Sequence, residues 1–264
     1  MKQFFARFWH KGKGKSAAPP LAVFDAPCRP EHPFAVVGDI HGRADLLEQV
    51  GMLIDDLPSD VPLICVGDYI DRGDESRAVL EMLSDPDVSA SRDLICLMGN
   101  HEAMCLDFLD NPTKAGRAWI RYGGLQTLAS FGVSGVGPGS GPADFAKARD
   151  ALALAMGDRL IDWMRALPLS WHSGNISVVH AAADPGLELS DQPEKTLLWG
   201  HPEFTRRNRT DGQWIIHGHT IVDQPAIESG RISIDTGAYA TNRLTVAIIR
   251  EDGVEFRQTG NCDV

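Results

Sequence analysis

Three stretches of the sequence end in side chains able to bind metal or move a proton. They are Phe34-Ala-Val-Val-Gly-Asp-Ile-His-Gly42, Leu63-Ile-Cys-Val-Gly-Asp-Tyr-Ile-Asp-Arg-Gly73 and Leu94-Ile-Cys-Leu-Met-Gly-Asn-His-Glu102. In each, an apolar run of strand length empties through a glycine into polar residues. Asp39 and His41 stand two apart on chain leaving a strand, so both side chains point the same way and offer one ion a hard carboxylate and a borderline imidazole. Asp68 has two oxygens and can bridge a pair of ions. Asn100 adds a neutral carbonyl oxygen, while His180 and His219 end later apolar runs and add nitrogens. Two aspartates, one asparagine and three histidines without thiolate suit manganese, iron or zinc better than magnesium or calcium.

The charge balance points to a phosphate substrate. Two divalent ions outweigh two carboxylates, so the site attracts a phosphate dianion although the chain carries a net charge of −11. Arg72 strengthens that field with a planar fork suited to phosphate oxygens. Paired ions would lower the pKa of a bridging water and make hydroxide available for in-line attack on phosphorus. His101 is the expected proton donor to the leaving alkoxide, with Asp71 orienting its other ring nitrogen. A lone Asp or His at a strand end is ordinarily a turn or cap residue. Three ordered matches, each at an expected strand end, favour the chemical reading.

The elements that must position these residues follow from hydrophobic spacing. From Phe34 the pattern is strand, loop and helix, repeated: Leu46, Leu47, Val50, Leu53, Ile54 and Leu57 recur at helical spacing, then Val79, Leu80 and Leu83. This predicts an α/β architecture with parallel strands, whose ligands sit beyond the carboxyl ends where all three motifs lie. Residues 103–130 read as helical and contain Trp119, Tyr122 and Leu125; the tract Gly132–Pro142 reads as a flexible loop. That tract fails the spacing of either glycine-rich phosphate loop. A long helix follows, with Phe145, Ala148, Leu152, Met156, Leu160, Trp163 and Leu167 on one face. Residues 103–167 are therefore expected to form a helical cap insertion. The last third is β-rich, with runs at Ile176–His180, Trp214–His217, Arg231–Asp235, Leu244–Ile249 and Val254–Arg257, which suggest a second sheet packed on the first.

Composition bounds the remaining choices. A chain of 264 residues with 43% hydrophobic content can bury a full core. Its acidity argues against a nucleic-acid partner, which needs a basic stripe. Five cysteines show no paired metal-type spacing and fit a reducing cytoplasm. No apolar run approaches a membrane span. Lys2, Arg7, Lys11, Lys13 and Lys15 are interleaved with Phe4, Phe5, Phe8 and Trp9. Residues 1–30 are expected to be a flexible basic tail, with membrane contact as the weaker reading, and residues 31–260 one domain. The tail lacks the apolar core and cleavage site of a secretory signal.

Together with Val179-His180-Ala181 and Gly218-His219-Thr220, the three segments resemble the phosphoprotein phosphatase family within the calcineurin-like metallophosphoesterases. The order and wording are similar to a bacterial branch that holds lambda-phage-type protein phosphatases and symmetrical dinucleoside tetraphosphatases. The resemblance runs from Phe34 to Ile249. It implies a sandwich of two mixed β-sheets flanked by helices, with the active site at one edge. It also implies that Asp39, His41 and Asp68 hold one metal, and that Asp68, Asn100, His180 and His219 hold the other. His101 with Asp71 would form the acid pair, and Arg72 and Asn100 would meet the substrate phosphate.

The chain departs from this pattern in three places. Met98 stands where relatives often have Arg, and His180-Ala181-Ala182 replaces His-Ala-Gly. Trp199-Gly200-His201 replaces Trp-x-Arg, so His201 takes the place of a phosphate-binding Arg, with Arg206, Arg207 and Arg209 as nearby substitutes. The expected activity is hydrolysis of phosphoserine or phosphothreonine in proteins. Symmetrical cleavage of a bis(5'-nucleosyl) tetraphosphate is the alternative within the enzyme class, and a low-turnover phosphate-binding regulatory protein lies outside it. His217 and Asp235 are secondary candidates: the motif passes over His217 for His219, and Asp235 reads as a turn residue bonding backbone. Glu102 reads as the opening residue of a helix, favoured by its dipole.

Overall fold

Alternate residues of the first strands face two different cores. Phe34, Val36, Ile64 and Val66 point into one apolar cluster, while Ala35, Val37, Leu63 and Cys65 point into another. Strands buried on both faces are what parallel pairing inside a layered fold requires. The computed structural model describes residues 23–260. Strand β1 (Phe34–Val37) pairs in parallel with β2 (Leu63–Cys65), and β2 with β3 (Leu94–Cys96).

The second sheet is built from β4 (Ser170–Ser173), β5 (Ile176–Val179), β6 (Trp214–His217), β7 (Ala226–Glu228) and β8 (Arg231–Ser233) in the order β4-β5-β6-β8-β7. The chain then returns to the first sheet as β9 (Thr245–Arg250) and β10 (Gly253–Gln258), giving β10-β9-β1-β2-β3. Each sheet mixes parallel and antiparallel pairs. Ile176, Val178, Ile216, Ile232 and Ile234 meet Phe34, Val36, Ile64 and Val66 between the sheets. Helices cover the other face of the first sheet, so the expected sandwich of two mixed sheets is present. Two strands were not legible in the sequence. Strand β7 is exposed along its whole length and β4 keeps only Ser173 buried, so neither carries an apolar alternation.

The helical middle is several helices. Asn100–Asp110 and Pro112–Trp119 are followed by a π-helical turn, Ile120–Gly124, and by Leu125–Ser130. The long helix, Pro142–Arg165, is interrupted at Gly157, whose φ of 72° turns the chain away from helical geometry. Leu106, Phe108, Trp119, Leu128, Phe145 and Leu152 share one core with the helices lying on the first sheet. Apolar packing therefore ties these helices to the body of the fold.

The basic segment 1–20 lies outside the described residues. Residues 23–30, assigned to the tail on sequence grounds, are instead bound to the second sheet. Phe24 packs edge-on to Trp214 at 5.1 Å, Trp214 Nε1 donates to Ala26 O at 3.0 Å, and Asn175 Nδ2 donates to Pro27 O at 2.9 Å. These partners come from distant strands, so local composition gave no sign of them. Among the described residues, no helix is long and apolar enough to cross a membrane.

Candidate active site

The chain leaving β1 carries Asp39 and His41, and that leaving β2 carries Asp68, Asp71 and Arg72. Asn100 and His101 open the helix after β3, and His180 and His219 follow β5 and β6. All of these strands are parallel neighbours within their sheets, so their carboxyl ends collect at one edge of the sandwich. The backbone there is contorted: His41, Asp68, Asp71, Arg72 and His219 have φ of 48°, 55°, 70°, 70° and 63°. Left-handed conformations at such residues are unfavourable, and they persist only where surroundings enforce them. Glycine supplies the room. A Cβ on Gly99 would collide with the Asp68 backbone and carboxylate, and one on Gly218 would collide with the Asp39 carboxylate.

The polar atoms brought together are mostly acceptors. His41 Nδ1 donates to Ile70 O at 2.8 Å, which leaves Nε2 buried with no hydrogen-bond partner, 3.6 Å from Asp68 Oδ2. His180 Nδ1 donates to Val66 O at 3.0 Å, so its Nε2 lone pair faces Asn100 Oδ1 at 2.9 Å and Asp68 Oδ1 at 3.3 Å. His219 Nδ1 lies 2.9 Å from the same Asn100 oxygen. Burial lowers the pKa of His41 to about 3 and of His219 to about 4, and it lowers that of His180, which keeps these imidazoles neutral. Burial first, then Asp235 and Asp68, push Asp39 well above the ordinary carboxylate range.

Neutral imidazole lone pairs thus face carboxylate and amide oxygens across a buried space. Divalent cations would suit such groups, and backbone carbonyls already fix the tautomers of His41 and His180 that ligation needs. Among the described residues, two groups can hold such an ion: His41, Asp68 and His101, and Asp68, His180 and His219, each with ligand atoms within 4.8 Å of one another, while Asp39, expected beside His41, is in neither and accepts from His219 N. Asp68 belongs to both.

Beside this cluster lies a hydrogen-bonded pair. His101 Nδ1 donates to Asp71 Oδ2 at 2.6 Å, and Arg72 Nη2 approaches His101 Nε2 at 3.2 Å. Burial alone would lower the pKa of His101, but Asp68 and the Asp71 hydrogen bond outweigh it and the pKa is raised. Arg72 also lies over the ring of Tyr239, 4.9 Å from its centroid, and that ring meets His41 edge-on at 5.4 Å. The Asp71 carboxylate receives further hydrogen bonds from Trp119 Nε1 at 2.9 Å and Thr127 Oγ1 at 2.5 Å.

Sequence reasoning missed Trp119, Thr127 and Tyr239, and it undervalued Glu102. Glu102 opens its helix as expected, its carboxylate accepting from Gly99 N at 3.0 Å. The same carboxylate accepts from Asp68 N and Tyr69 N, both at 2.8 Å, and so clamps the loop that presents Asp68. Burial pushes its pKa up to about 8. Replacing Glu102 with Gln puts an amide donor against backbone N–H groups, leaving buried donors unpaired at about 1–3 kcal/mol. The expected result is a lower denaturation midpoint together with a divalent-metal affinity reduced about 10- to 100-fold, the usual size for a group supporting a ligand. Chemical denaturation and metal titration of Glu102→Gln check both.

Several other candidates are engaged elsewhere. His201 Nε2 lies 3.5 Å from Asp184, and its Nδ1 accepts from Glu203 N at 3.3 Å. No hydrogen bond or ion pair among the described residues joins His201 to the cluster, so the structure does not place it as a phosphate ligand. Arg209 is buried and holds Asp184 O, Leu187 O and Asp211, which removes it as a substitute. Met98 is buried in the helical core. His217 uses both ring nitrogens, on Gly218 O and Ser233 Oγ, and Asp235 accepts from Gly237 N at 2.8 Å in a turn.

Comparison with known proteins bears on the family and the fold. The profile described as calcineurin-like phosphoesterase matches residues 32–223. Serine/threonine-protein phosphatase 2 of Escherichia coli (strain K12) is 31% identical over 224 residues, covering 80% of this chain and 89% of that protein. Its namesake in Salmonella typhimurium (strain LT2) is 40% identical over 218 residues, with the same coverage of 80% and 89%. A solved structure described as a cold-active protein-tyrosine phosphatase of a Shewanella species superposes with a TM-score of 0.56 at 15% identity, covering 93% of this chain and 87% of that one; at this identity only the fold is shared.

Proposed function

The chain belongs to the calcineurin-like phosphoesterase family, and from that premise we propose that this metallophosphoesterase is a serine/threonine protein phosphatase using two divalent metals, manganese foremost. The observation that carries this reading is the juxtaposition of the acceptor-lined cluster with the Asp71–His101–Arg72 group. Asp39, His41 and Asp68 would hold one metal, and Asp68, Asn100, His180 and His219 the other. When bound, such metals polarise a phosphoryl oxygen and lower the pKa of water so that it attacks phosphorus at neutral pH.

The chain's own residues do the rest. Arg72 receives phosphate oxygens through its guanidinium fork. In the free protein that guanidinium covers His101 Nε2, the atom from which the proton must leave. An entering phosphate dianion competes for Arg72, and the departing guanidinium frees Nε2 to carry a proton. His101 then protonates the seryl or threonyl oxygen as its bond to phosphorus breaks, while Asp71 holds Nδ1 and stabilises the imidazolium. A phosphoprotein or phosphopeptide is the partner this scheme requires. Four free cysteines among the described residues suit work in a reducing compartment such as the cytoplasm.

A substrate panel with manganese tests the proposal, using p-nitrophenyl phosphate, a phosphoserine peptide and diadenosine tetraphosphate. Phosphopeptide kcat/KM is expected to exceed that for the tetraphosphate by at least about tenfold, or 1.4 kcal/mol in the transition state. The reverse order would replace the protein phosphatase by a symmetrical bis(5'-nucleosyl)-tetraphosphatase. Binding without turnover on all three would leave only a phosphate-binding role.

A further inference from the structure

Asp71 stands out because the helical insertion grips its carboxylate. Trp119 Nε1 donates to Oδ2, the oxygen that also takes His101 Nδ1, and Thr127 Oγ1 donates to Oδ1. The Asp71 backbone N–H is held too, by Ser76 Oγ at 3.1 Å and Thr127 Oγ1 at 3.0 Å. Trp119, Thr127 and Asp71 are all buried. Residues eight apart on a regular α-helix lie about 12 Å apart along its axis and could not reach one carboxylate.

The π-helical turn between them departs from that regular path. Gly123, with φ 111°, breaks the helical path there, as π turns at functional sites often do. Its carbonyl accepts from Arg72 N at 3.4 Å, and a Cβ on Gly123 would come within 2.5 Å of that nitrogen. A Cβ on Gly124 would come within 2.6 Å of the Trp119 ring. The two glycines thus let the insertion pass close enough to lay both donors on Asp71.

We propose that Trp119 and Thr127 are positioning residues for proton delivery: the helical insertion fixes the Asp71 carboxylate, and through it the His101 ring, relative to the leaving group. The inference rests on the reading of His101 as the acid. With either donor removed, the carboxylate gains freedom to rotate and the imidazole loses its fixed bearing. Chemistry that needs the proton suffers, and chemistry that does not is spared.

The test uses the full chain loaded with manganese and three variants, Trp119→Phe, Thr127→Val and Thr127→Ser. Turnover is compared on a phosphoserine peptide, whose alkoxide needs the proton, and on p-nitrophenyl phosphate, whose phenolate leaves without it. For Trp119→Phe and Thr127→Val, kcat on the peptide is expected to fall about 10- to 100-fold, the scale of a misplaced catalytic group. With p-nitrophenyl phosphate, kcat should stay within about threefold, and KM and the manganese-induced rise in Tm should be unchanged. Thr127→Ser, which keeps the hydroxyl, should behave as wild type. Equal losses on both substrates, or none on either, would overturn the proposal. His101→Asn run alongside separates the causes: if it splits the substrates and the insertion variants do not, only the positioning role fails; if it shows no split, the acid assignment fails as well.

Discussion

Replacing Asp68 with asparagine is expected to abolish the stabilisation of the protein by manganese and to lower phosphate-ester turnover by at least about 10²–10³-fold. Asparagine is chosen because it disturbs little else. Its carbonyl oxygen still accepts from His101 N, the bond now made by Asp68 Oδ1 at 3.0 Å. Asparagine also tolerates the left-handed backbone, φ 55°, at this position. What disappears is the anionic oxygen that both candidate metal groups share. Metal at a hundred times its Kd stabilises a folded protein by about 2.7 kcal/mol. For a domain of this size that corresponds to a Tm rise of about 5–10 °C. Thermal melts with and without manganese should show the rise in the wild type and none in Asp68→Asn. A full rise in the variant would remove Asp68 from the metal site, whatever its activity.

His101→Asn should separate metal binding from proton transfer. Without a general acid, kcat on substrates with poor leaving groups is expected to fall about 10²–10⁴-fold. The substitution leaves the Asp71 carboxylate with hydrogen bonds from Trp119 and Thr127, so no buried charge is stranded and the fold should survive. Manganese should still raise Tm if Asp39, His41, Asp68, Asn100, His180 and His219 are the ligands; loss of the rise would instead make His101, which lies with His41 and Asp68, a ligand. The decisive measurement is kcat on the phosphoserine peptide across the neutral range. Turnover equal to wild type would exclude His101 as the donor.

The legible part of this protein was the part with a local pattern. Asp39, His41, Asp68, Asn100 and His101 each follow an apolar run of strand length within a few residues, so spacing alone placed them at strand ends. The strand, loop and helix repeat that begins at Phe34 pointed to the layered fold in the same way. Trp119 and Thr127 carry no such mark, because they meet Asp71 across 48 and 56 residues and only after a π turn that no periodicity announces. Glu102 was visible as a helix-opening residue, but its grip on Asp68 and Tyr69 depends on a loop 33 and 34 residues away. His201 is the complementary case. Its place in a familiar segment suggested phosphate, and the fold pairs it with Asp184.

The pairing of β1 with β9 bears on how the protein is made. Phe34 and Ile249 are direct partners, as are Val37 and Val246, so the strand that presents Asp39 and His41 is flanked on one side by a strand made more than two hundred residues later. At about 5–20 residues per second, a ribosome delivers β9 roughly 10–40 s after β1. Through that interval the nascent chain carries an unpaired strand edge and a growing set of candidate site residues without the framework that orders them. Such non-local closure slows folding and favours association with other chains. The framework that holds Asp39 and His41 is therefore complete only once β9 has been made, some two hundred residues after the strand it supports.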